Sequence, residues 1–219
     1  ESRMEEYREG LLKAIERTKK WGIACPGSKT LKFYVTSAAS EFGEPSPASV
    51  AALSRALPFA PQSRSGACAP LHLMLLTMLF RENLPFLPAL TIGNVLVEGS
   101  PRYQVRRQGL RQLLRDGPGA TGTIDVHMWL TWPDLSILDL TILPALLLED
   151  GIVPSLEDPG GLVLLGKPQD LKPRFTYVPH LVGEEFAWRV GAVQPMAEKM
   201  FKDGRHEWLM RMRESVDDG

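Results

Sequence analysis

Residues 68–83 read Cys-Ala-Pro-Leu-His-Leu-Met-Leu-Leu-Thr-Met-Leu-Phe-Arg-Glu-Asn, apolar on nearly every side of a helix. A helix with no polar face has to be buried, so this stretch marks the centre of the fold. Pro70 suits its first turn, where a missing N–H costs nothing, and Asn83 and Pro85 close it. The residues that follow are read as strands. Leu90–Glu98 carries β-branched Ile92, Val95 and Val97. Thr123–Trp132 and Ser136–Leu140 are joined by a turn at Pro133-Asp134. Between the first two strands lies a basic segment, with five arginines at 102, 106, 107, 111 and 115, read as a surface helix over about 104–114. A buried helix followed by consecutive strands is the α+β pattern, a mostly antiparallel sheet packed against a central helix. It is not the alternation of a dinucleotide fold.

Outward from this centre, residues 4–21 read as an amphipathic helix, with Tyr7, Leu11, Ala14, Ile15 and Trp21 at helical spacing. Leu31–Thr36 reads as a strand. Ala48–Leu57 reads as a short helix behind Ser46 and Pro47. On the other side, 149–173 is a Gly/Pro-rich connection long enough to serve as a lid. Phe175–Val178 reads as a short strand and Pro195–Arg213 as a terminal helix with Met196, Met200, Trp208, Leu209 and Met212 on its apolar side.

The 219 residues, 44% hydrophobic and 23% charged, fit a single globular domain, 1–219. A formal net charge of -1 gives no global attraction to nucleic acid or to an anionic membrane. The stretch 135–148 is interrupted by Asp139 and Pro144 and is too short to span a bilayer. No apolar secretory segment opens the chain. The expectation is a cytoplasmic protein with reduced thiols, although signal-independent export would leave the same sequence. Two cysteines cannot build a disulfide framework or a four-thiolate zinc site. His72, His127, His180 and His206 are scattered, so no metal is expected. No phosphate loop and no Gly-x-Gly-x-x-Gly run is present, so no nucleotide cofactor is expected either.

Three residues fall where chemistry could use them. Cys68 follows Gly66-Ala67 and opens the buried helix. His127 lies in Val126-His127-Met128-Trp129-Leu130, and Asp139 in Ile137-Leu138-Asp139-Leu140-Thr141. A thiol at a helix N-terminus faces free N–H groups and the positive end of the macrodipole, which favour the thiolate. An imidazole completes an ion pair and later protonates a leaving amine. A carboxylate across one hairpin holds the imidazole in the correct tautomer. Each residue also has a plainer reading: a buried thiol, a strand histidine with a satisfied hydrogen bond, a capping aspartate. His72, one helical turn after Cys68, is the alternative imidazole, and Cys25 reads as structural. Trp129, two residues from His127, reads as a wall of the cleft or as plain core. The arginines read as a solvated face or as a site for an acidic partner.

The order helix-start Cys68, then His127-Met128-Trp129-Leu130, then Asp139-Leu140-Thr141 resembles the transglutaminase-like branch of the papain-type cysteine enzymes. That family often shows His-Ala-Trp-Val and Asp-Pro-Thr at these places. Here Met128 and Leu140 depart from the pattern, and Ser63-Arg64-Ser65-Gly66-Ala67 before the cysteine is no family signature. The resemblance covers about 60–145, with 1–60 and 146–219 as flanking helical and loop extensions. It implies a papain-like core and a Cys68, His127, Asp139 triad. It also implies an oxyanion hole from the Cys68 N–H with Gln62, six residues ahead of Cys68. The implied activity is acyl transfer at an amide of a peptide or protein, through a thioester: peptidase, amidase, glutamine deamidase or transglutaminase. The alternative is an inactive domain of the same fold that binds proteins.

Overall fold

The strand Ala89–Val97 (β1), Ala-Leu-Thr-Ile-Gly-Asn-Val-Leu-Val, is apolar on both faces and becomes the hub of a six-stranded sheet. The computed structural model describes residues 3–25, 55, 60–81, 88–117, 126–155, 162–171 and 173–193. A tight turn at Glu98-Gly99, both at positive φ, folds β2 (Ser100–Tyr103) back onto the second half of β1. The first half of the same edge pairs with β3 (His127–Thr131), which places Gly93 opposite His127. β4 (Ile137–Asp139) and β5 (Leu164–Gly166) extend the sheet beyond β3. β6 (Phe175–Val182) runs along the other edge of β1. Every pairing is antiparallel and the sheet curls, so the chain is α+β.

Alternation along the strands divides the core in two. Leu90, Ile92, Met128 and Leu130 pack with Leu71, Leu75 and Leu79 of α2 (Cys68–Arg81). On the opposite face Val95, Trp129 and Tyr177 pack with Tyr7, Leu11, Ala14 and Ile15 of α1 (Arg3–Lys20). One run of polar contacts fixes α1 in register. Trp129 Nε1–H donates to Tyr7 Oη at 2.9 Å, and Tyr7 pairs with Thr131 Oγ1 at 2.7 Å. Thr131 meets Thr91 Oγ1 at 2.8 Å, and Thr91 donates to the Ala89 carbonyl at 3.3 Å. With the Ala89 carbonyl able only to accept, Thr91 spends its one proton there, and the run has a single consistent direction from Trp129 to Ala89. Thr18 adds a second tie, accepting the Val182 N–H at 2.9 Å.

Four further α-helices are α3 (Arg107–Asp116), α4 (Ile142–Glu149), α5 (Pro168–Leu171) and α6 (Glu185–Arg189), and a 3-10 turn spans Pro61–Ser63. Several expectations need correction. The segment after Glu98 holds the strand β2, and the basic helix starts three residues later than the spacing predicts. The apolar run after Asp139 is a helix, with Pro144 in its first turn where no N–H is required. The connection 149–173 contributes β5 and α5, so that part belongs to the sheet and its packing rather than to a lid. The last strand continues to Val182 through Pro179, at a bulge opposite Ile92 and Gly93. The expected strand at 31–36 and the terminal helix at 195–213 lie outside the described residues, as does the helix at 48–57 apart from Arg55. No described helix is long and apolar enough to cross a membrane.

Candidate active site

Cys68 is the first residue of α2. The Leu71 N–H bonds the Ala67 carbonyl at 3.0 Å, so Ala67 caps the helix, and Gly66 at φ +77° supplies the turn before it. The Cys68 amide therefore belongs to the first turn, where N–H groups have no intrahelical acceptor. The half-buried thiol donates to the Val126 carbonyl at 3.6 Å, which sets it beside the start of β3 and next to His127.

His127 is 1% exposed. Its Nε2–H donates to Asp139 Oδ2 at 2.5 Å, which leaves Nδ1 for the thiol. Its ring stacks on Tyr103 with centroids 4.4 Å apart and planes 14° apart, and Trp129 lies 6.2 Å away. Burial pulls the imidazole pKa down. The Asp139 charge and hydrogen bond oppose this, with a side-chain hydrogen bond to Cys68 and the charge of Cys68 behind them, and the net result is a rise to about 10.

Asp139 is wholly buried at the end of β4 and is saturated with donors. Oδ1 accepts the Thr141 N–H at 2.8 Å, the Thr141 hydroxyl at 2.9 Å and the Ile142 N–H at 3.0 Å. It thus caps α4 as well as facing the imidazole. Oδ2 accepts Tyr177 Oη–H at 2.9 Å in addition to His127. Burial alone would raise its pKa. The His127 charge and hydrogen bond, with His72 and the Thr141 amide, reverse the sign and hold it below the usual carboxylate range.

His72, the alternative imidazole, is committed elsewhere. Its Nε2 accepts the Leu140 N–H at 3.0 Å, so Nδ1 carries the proton and donates to the Cys68 carbonyl at 2.7 Å. Burial lowers its pKa to about 4 against the pull of Asp139, so the ring is neutral. It clips the start of α2 to the end of β4, which fixes Cys68 against Asp139 through the backbone. Gln62 is exposed on the 3-10 turn Pro61–Ser63, and no described contact ties it to the thiol. Trp129 is fully buried core in addition to lying beside His127. Burial, then the Glu184 charge, push Cys25 up to about 12, so the second thiol stays protonated at neutral pH.

Sequence reasoning missed Tyr103, Tyr177 and the clip made by His72. Tyr103 and Tyr177 both sit in register with Val95, one on each edge of β1, two residues past Gly93 and its partner His127. Only the pairing of strands far apart in the chain brings them there. The Glu98-Gly99 turn was the one local signal that β2, and so Tyr103, would fold back. Among the described residues no three His, Cys, Asp or Glu side chains gather as a metal-binding group. Comparison with known protein families, with curated proteins and with solved structures finds no match for this chain.

Proposed function

We propose that the chain is a cysteine-dependent acyl-transfer enzyme acting on an amide, with a core of transglutaminase-like type. The observation that carries this is the 2.5 Å bond between His127 Nε2 and Asp139 Oδ2, beside a thiol at a helix start. Asp139 is the orienting group: its second oxygen is fully occupied, so the carboxylate cannot turn away. His127 is the proton carrier and Cys68 the nucleophile.

In the first half-reaction the Cys68 sulfur adds to the substrate carbonyl carbon, and the oxygen takes up the negative charge. The Cys68 N–H is the first donor for that oxygen, and Gln62 is the candidate for the second. His127 Nδ1–H passes its proton to the amide nitrogen, the C–N bond breaks, and an amine leaves a thioester on Cys68. In the second, His127 takes a proton from water as its oxygen adds to the thioester, and the thiolate leaves an acid. An amine in place of water gives transamidation. Tyr103, stacked on the imidazole, limits its rotation.

The test is acylation by p-nitrophenyl acetate, a probe activated enough to report on the nucleophile. A burst of about one nitrophenolate per chain, with an acetyl group found on Cys68 by mass spectrometry, is the expected result. Cys68→Ala abolishes the burst and His127→Ala slows it by at least about a hundredfold. Gln62→Ala slows it by about tenfold or more if its amide is an oxyanion donor. A wild-type protein with no burst, or a Cys68→Ala protein that keeps it, contradicts the proposal. The chain would then read as a binding domain of the same architecture.

A further inference from the structure

The five arginines of the basic segment part company in the structure. Arg102 pairs with Glu149, and Arg115 pairs with Asp116 at 2.8 Å. Arg107 and Arg111 instead face α1 across a cleft of about 650 Å³. The α1 wall brings Lys13, Arg17 and Lys20, so five cations line the cleft together with the carboxylate of Glu16, and Lys13 also pairs with Glu9 at 3.2 Å. Nothing in the chain's net charge of -1 foreshadows this concentration.

The cations are held in place. Arg17 Nη1 donates to the His180 carbonyl at 2.7 Å, and the Arg111 guanidinium lies 4.9 Å from the Trp21 ring centroid. Burial and then the charge of Arg107 lower the Arg17 pKa. Burial followed by Arg17 and Arg107 does the same to His180. Like charges have been brought together at a cost, and an anion between them would relieve it.

Their spacing identifies the shape of that anion. Lys13, Arg17 and Lys20 span seven residues of helix, roughly 10 Å at 1.5 Å per residue. Arg107 and Arg111 are one turn apart, roughly 6 Å. An extended peptide projects side chains on one side every second residue, at about 6.6 Å, close to the step between successive cations. A single phosphate would reach one or two of these groups and leave the rest unmatched. Guanidinium forks take carboxylate or phosphate oxygens in pairs, so it is the length of the row of cations that favours an extended chain of anions over a single one.

We propose that the cleft between α1 and α3 binds an extended acidic peptide segment of a substrate or partner protein, with carboxylates at alternate residues. This does not depend on the reading of the thiol. The probe is a fluorescein-labelled peptide of alternating Gly and Glu, followed by anisotropy on the full chain, with the Gln counterpart as control. The Glu peptide binds at least about tenfold more tightly than the Gln peptide at low salt, and the difference shrinks as salt rises. The double variant Arg107→Gln/Arg111→Gln, both exposed residues, weakens binding by about tenfold or more at an unchanged melting temperature. Arg115→Gln, outside the cleft, leaves binding unchanged. Equal binding of the two peptides, or a double variant that binds as well as the parent, overturns the proposal. Inorganic triphosphate or a single-stranded oligonucleotide competing at about a tenth of the peptide concentration also overturns it, since the cleft would then be a phosphate site.

Discussion

Asp139 accepts five hydrogen bonds, three from the start of α4 and one each from His127 and Tyr177, and it does so without solvent. Removing any of these donors leaves a buried charge short of a partner, which costs more than the bond itself was worth. Tyr177→Phe therefore lowers the stability by about 1–3 kcal/mol in urea unfolding, because the lost donor was bonded to a charged group. A change under a few tenths of a kcal/mol would show that the phenol is dispensable. Asp139→Asn keeps the shape of the side chain but removes the charge that holds the His127 proton. The acylation rate then falls by a factor on the order of 10³–10⁴, the loss expected when an orienting carboxylate becomes an amide. A rate within about tenfold of the parent would mean that Asp139 serves only to cap α4.

The elements depend on close approaches that single residues permit. A Cβ at Gly93 would fall on the Val178 carbonyl oxygen of β6 and 2.9 Å from the Trp129 ring. Gly93→Ala therefore forces β6 away from β1 and costs about 1–3 kcal/mol or more, read as a lower melting temperature. A neutral result would mean that the two strands have slack there. Tyr7→Phe leaves the Trp129 N–H and the Thr131 hydroxyl short of partners and costs about 1–3 kcal/mol. The same contacts explain what the sequence could and could not reveal. α1, α2, β1 and the β3–β4 hairpin were legible because their apolar periods and turn residues are local. The hairpin also brings His127 within reach of Asp139, so that pair was legible too. α4 was hidden because Pro144 and an unbroken apolar run carry no helical period. β5 was hidden in a Gly/Pro-rich stretch that only β4 makes into a strand. Tyr177 reaches the site through β6, 38 residues after Asp139, and no local pattern announces that. The arginines were legible as a possible site for an acidic partner, but the cations of α1 that complete the cleft were not, because its two walls lie on helices nearly ninety residues apart.

For the whole molecule, the buried ionisable groups set a pH window. His127 is raised from about 6.5 to about 10, so its contribution is complete below 6.5 and is lost as pH climbs through 10. His72 is lowered to about 4, so the unfolded chain binds the extra proton between 6.5 and 4, and stability falls as pH falls through that range. That loss is on the order of 3 kcal/mol. Asp139, held low, adds a further loss as pH drops below the ordinary carboxylate range. Urea unfolding followed against pH should therefore peak between about 6 and 7, and His72→Gln should flatten the limb between 6.5 and 4. A profile level from 4 to 10 would refute the assignment. The central claim is that these buried charges serve an activated thiol, and the iodoacetamide labelling rate of the native protein against pH, read by mass spectrometry at Cys68 and Cys25, tests it most directly. The account predicts labelling of Cys68 faster than that of an ordinary thiol at neutral pH, a slower rate in His127→Ala, and little labelling of Cys25. Labelling of Cys68 no faster than an ordinary thiol, or labelling that is unchanged in His127→Ala, would contradict it.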